Sequence, residues 1–84
     1  MKKTNKYSYG QALNDIEKLV KRVVKHSEQL SEFKFIIDNA RKRKTVPIRG
    51  IQEKLMNYRE QYQEYDSFTA EERKMLNDVM DLWG

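Results

Sequence analysis

The sequence predicts an all-α protein, an antiparallel four-helix bundle joined by short turns. Three observations carry this expectation. Apolar residues recur at three- and four-residue spacing almost throughout, no stretch of four or more residues shows strand-like alternation, and only one proline and three glycines interrupt the pattern. With 84 residues the chain supports one core, so residues 1–84 are read as a single domain with 1–7 as a flexible N-terminal segment.

The first helix is expected from Ser8 to His26. Tyr9, Ala12, Leu13, Ile16, Leu19, Val20, Val23 and Val24 make one apolar stripe, with Lys18, Lys21, Arg22 and Lys25 on the other side. Cations in its last turn oppose the negative end of the helix dipole, and His26 reads as part of that C-terminal cap.

Ser27 is the expected N-cap of a second helix whose buried side is Leu30, Phe33, Ile36, Ile37 and Ala40. Phe35 falls off that stripe and is expected to be partly exposed. The intervening "KHSEQ" contains neither glycine nor proline, so the sequence leaves open whether a true turn separates helices one and two.

Thr45-Val46-Pro47 opens a third helix, because proline favours the first helical turn and forces the preceding residue out of helical geometry. Ile48, Ile51, Leu55, Tyr58, Tyr62 and Tyr65 then form a narrow seam. Gly50 costs this helix about 1 kcal/mol relative to alanine, and a close helix approach is the expected reason. After a joint at Asp66-Ser67-Phe68, Thr69 and Glu72 form a capping box, and Met75, Leu76, Val79, Met80 and Trp83 supply the apolar side of the fourth helix.

Composition narrows function by exclusion. The chain has no cysteine, hence no disulfide framework or thiolate metal site. It shows no signal-peptide pattern and no run of about 18 apolar residues, and is read as soluble and cytoplasmic. No glycine-rich phosphate loop and no His/Asp/Glu set at metal-ligand spacing appears, and the single histidine has a capping explanation. No catalytic residue, cofactor or metal is therefore expected, and the chain is not read as an enzyme.

Charge is divided unevenly. Residues 1–50 hold 13 Lys/Arg against 5 Asp/Glu, a net +8, whereas residues 51–84 hold 4 against 8, a net −4. A basic front suits an anionic partner such as nucleic acid or a lipid surface, and equally a bundle whose halves attract each other. Arg41, Lys42, Arg43 and Lys44 are the candidate phosphate-contacting run. The tyrosines, interleaved with cations, permit base stacking but share a helical stripe with aliphatic residues, which favours packing.

The order of two segments narrows the reading further. "TVPIRGIQEKLMNY" and then "SFTAEERKMLNDVMDL" follow an amphipathic helix pair. This arrangement resembles the bacteriocin immunity proteins of the enterocin A and pediocin-like group. There a Val-Pro step opens helix three, and a Phe/Leu-Thr/Ser segment with a downstream leucine ladder makes helix four. Val46, Pro47, Ile48, Ile51 and Leu55 match the first pattern, and Phe68, Thr69, Leu76, Val79 and Leu82 the second; Glu72 or Arg73 stands where glutamine is common.

The resemblance implies a cytoplasmic bundle, in part membrane-associated. It would bind without turnover to a mannose-type phosphotransferase permease engaged by its bacteriocin, and so block the lethal pore. The expected partner surface is Arg41, Lys42, Arg43, Lys44 and Arg49, with Asp66, Ser67, Lys74, Asp78, Asp81 and Trp83 from the 3–4 turn and helix four. An anionic membrane surface would add attraction of about 1 kcal/mol per nearby cation. The alternative is a small basic nucleic-acid-binding or phage/plasmid regulatory protein.

Overall fold

The computed structural model describes residues 8–62 and 68–84, which form four helices: α1 (Tyr9–Val23), α2 (Ser27–Arg43), α3 (Ile48–Gln61) and α4 (Ala70–Trp83). The N-terminal segment expected to be flexible, Tyr65, and the site candidates Asp66 and Ser67 lie outside the described residues. α1 packs against both α2 and α4, and α3 against α4. The radius of gyration, 12.6 Å, is near the roughly 12 Å expected of a compact chain this long. No helix among the described residues is long and apolar enough to cross a membrane.

The core follows the stripe of α1. Ala12, Leu13, Ile16, Leu19, Val20, Val23 and Val24 are all buried, joined by Phe33, Ile37 and Ala40 of α2, Ile48, Ile51, Leu55 and Tyr58 of α3, and Leu76 and Val79 of α4. Leu30, Ile36, Met75 and Met80 pack at the margin. Phe35 is 68% exposed, as its place off the α2 stripe requires. Trp83 does not join the core; it is 37% exposed, in the last turn of α4.

The helix boundaries differ from expectation at three joints. α1 ends at Val23 rather than His26, and Val24 takes an extended conformation. His26 is therefore no cap of α1; it occupies the N-cap position of α2, where its carbonyl accepts from the Leu30 N–H at 2.9 Å. Ser27 becomes the first helical residue instead of the cap. At the break the Tyr58 hydroxyl of α3 accepts from the backbone N–H of Lys25 at 2.8 Å and of His26 at 3.3 Å, in place of the helical carbonyls.

At the second joint Pro47 stands at the N-cap of α3, one position before the first turn. With φ −80° and ψ 66° it centres an inverse γ-turn, closed by the Ile48 N–H donating to the Val46 carbonyl at 2.8 Å. The turn drives both flanking residues, Val46 and Ile48, into the core. At the third joint α3 stops at Gln61, so the helical seam does not reach Tyr62. Tyr62 is extended, and its ring stacks on Tyr58 at 5.0 Å and lies 4.7 Å from His26. Gly50 makes no close approach to any described residue, since a Cβ built there meets nothing within 4 Å.

Candidate interaction surface

The basic run at the end of α2 divides on inspection of its partners. Arg41 is half-buried and bound inside the molecule: its guanidinium donates to Asn14 at 2.8 Å and Glu17 at 2.6 Å on α1, and to Asp38 at 3.2 Å. The Arg41 contact holds the Glu17 carboxyl below its ordinary range, opposed by partial burial. Arg41 thus works as a strap between α1 and α2. Lys42, Arg43 and Lys44 are exposed.

Lys44 occupies the left-handed region, with φ 57° and ψ 44°. The backbone there closes α2 through the Thr45 N–H, which donates to the Ala40 carbonyl at 3.1 Å. Glycine is the residue this position favours, so a lysine carries a local cost. Arg49, also exposed, sits in the first turn of α3, which holds no acidic residue, and opposes the positive end of the helix dipole. Lys44 therefore stands where the backbone disfavours a side chain, and Arg49 where the helix dipole disfavours a cation, five residues apart, on either side of the Val46-Pro47-Ile48 step. Local rules broken without an internal gain are what functional surfaces show.

The remaining candidates lie on α4. Lys74 and Asp78 form an exposed ion pair at 3.4 Å, one turn apart. Asp78 and Asp81 fall toward the C-terminal end of a helix that carries no cation in its last turn, again against the dipole. Leu82 and Trp83 are exposed beside them. No hydrogen bond or ion pair among the described residues links Lys42, Arg43, Lys44 or Arg49 to α4, although Arg49 and Met80 of α4 line one groove.

Two structural partners escaped sequence reasoning. Arg22, placed by periodicity on the polar side of α1, is half-buried and grips Glu72 of α4 with two nitrogens, one at 2.6 Å. Lys54 of α3 reaches Glu32 of α2 at 2.6 Å and lies over the Phe33 ring at 5.2 Å. Neither pair has a signal in local sequence. A third feature is a shallow groove of about 710 Å³ along the outer face of α3, walled on one side by Met80 of α4. No protein-family model matches the chain, and no curated protein and no solved structure is significantly similar to it.

Proposed function

We propose that this chain is a bacteriocin immunity protein of the pediocin-like type. It acts by stoichiometric binding at the cytoplasmic side of the mannose-type permease that the bacteriocin engages. The observation that supports the reading is the placement of the two resembling segments within a four-helix bundle. Val46-Pro47-Ile48 turns the chain into α3, and Thr69 caps α4 with both halves of its capping box, while Phe68 packs at the core margin. The cationic patch of Lys42, Arg43, Lys44 and Arg49 is the surface that would face an anionic membrane beside the permease, and Asp78, Asp81 and Trp83 the one that would meet protein.

The test is expression in a bacteriocin-sensitive strain challenged with a panel of pediocin-like peptides. Resistance to at least one peptide is the expected outcome; undiminished killing by all of them overturns the reading. The three exposed cations of the α2 end also favour nucleic acid as a partner, without the fourth, Arg41, which is bound to α1. A low-salt gel shift separates the two readings, since phosphate contacts are strongest there.

A further inference from the structure

The outer face of α3 carries a row of side chains without partners among the described residues. Arg49, Gln52, Glu53, Met56, Asn57 and Glu60 follow the three-four spacing of a contact ridge. None of the polar ones makes a hydrogen bond or ion pair with another described residue, in contrast to Lys54 on the inner side of the same helix. Met56 is 59% exposed in the middle of the row. At 3.6 residues per turn, Arg49, Met56 and Glu60 fall within about 40° of one line, with Glu53 beside it.

We infer that this face is a self-complementary surface that receives α3 of a second copy, laid antiparallel across it. The argument is charge register. Arg49 and Glu60 stand about 16 Å apart along the helix, at opposite ends of the exposed line. A two-fold axis passing between Lys54 and Leu55 brings Arg49 of each copy level with Glu60 of the other, which makes two ion pairs. The same axis sets the two Met56 side chains on one side of the line, about 4.5 Å apart along it, so they cover each other. A parallel arrangement would instead oppose Arg49 to Arg49 and Glu60 to Glu60. The contact is therefore isologous and closes at two copies.

Gly50 lies on the flank of this line, about 100° round the helix from Arg49, where it lines the groove and a built Cβ meets no described atom within 4 Å. Met80 of α4 forms the opposite wall and adds apolar area. Both Glu53 carboxylates gather on one rim and repel, and one helix pair buries less than the roughly 1,200 Å² of standard interfaces. The dimer is consequently weak and reversible.

Sedimentation equilibrium of the full chain from about 10 μM to about 1 mM tests this, a range suited to interfaces below standard size. The wild type is expected to move from the 10.2 kDa single-chain mass toward twice that value. Arg49→Glu and Glu60→Arg, each with helical circular dichroism unchanged, should lower the association constant on the order of tenfold, because each turns two attractions into repulsions. The combined reversal should restore it. Three results overturn the inference: a single-chain mass throughout, a dimer that neither reversal weakens, or a combined reversal that stays monomeric.

Discussion

Glu72 caps α4 and holds Arg22 of α1 with the same carboxylate. Its side chain accepts from the Thr69 N–H at 2.9 Å while both of its oxygens receive the Arg22 guanidinium. One residue thus starts the last helix and docks it on the first, which links the basic front of the chain to its acidic rear. The Arg22 contact draws the Glu72 carboxyl below its ordinary value, with the Thr69 bonds adding to it.

A double-mutant cycle should register this dual role. Arg22→Ala removes a partly exposed pair and is expected to cost about 1 kcal/mol. Glu72→Ala also removes half of the capping box, so a loss of about 2 kcal/mol is expected. Urea unfolding of both single variants and the double should give a coupling energy of about 1 kcal/mol, and additive losses would show that the pair contributes nothing.

Acid should weaken the bundle through Glu17 and Glu72. Both carboxyls are held below the ordinary value of 4.5, first by hydrogen bonds from Arg41 and Arg22 respectively. A carboxyl with a lowered folded-state value binds its proton more tightly in the unfolded chain, so its stabilisation is fully present above about pH 4.5 and is lost as pH falls through the folded value. Denaturation midpoints measured from pH 7 to pH 3 should decline below pH 4.5 in the wild type. Glu17→Gln with Glu72→Gln should flatten that decline, and an unchanged slope would assign it to other groups.

Lys44→Gly should stabilise the protein by about 1 kcal/mol, since the backbone at φ 57° costs a lysine more than a glycine. Thermal unfolding reads the gain directly. If the cation serves the proposed immunity, the same variant should protect cells less well while being more stable. Full protection would remove Lys44 from the partner surface.

Most of the fold was legible because the helical stripes are long and regular: every α1 position read as apolar is buried or packed at the core margin. The capping box of Thr69 and Glu72 was legible too, because it is a contact across three residues. The γ-turn at Pro47 was missed although it is local, but the missed side-chain pairings depend on residues far apart in sequence. Arg22 and Glu72 are 50 positions apart, and Arg41 reaches Glu17 across 24, so periodicity placed Arg22 on the polar side and the basic run made Arg41 a candidate partner contact. At the candidate surface Lys44 and Arg49 are exposed, and the unfavourable backbone conformation of Lys44 becomes visible only with its dihedral angles in hand.

The break between α1 and α2 is the clearest case of a boundary set from elsewhere, and Tyr58→Phe tests it. In a continuous helix the Lys25 and His26 N–H groups would donate to carbonyls four residues back; here both donate to the Tyr58 hydroxyl. Removing that oxygen leaves two backbone donors in a partly buried joint with one acceptor fewer between them. Unsatisfied donors of this kind cost about 1 to 3 kcal/mol, far more than the loss of one exposed hydroxyl. The phenylalanine ring of the variant keeps the stack on Tyr62, so packing alone predicts almost no change. Urea unfolding decides between the two: a loss of about 2 kcal/mol assigns the turn to the hydroxyl. Amide exchange at Lys25 and His26 should rise with it, because their protection comes from that oxygen and not from helical neighbours.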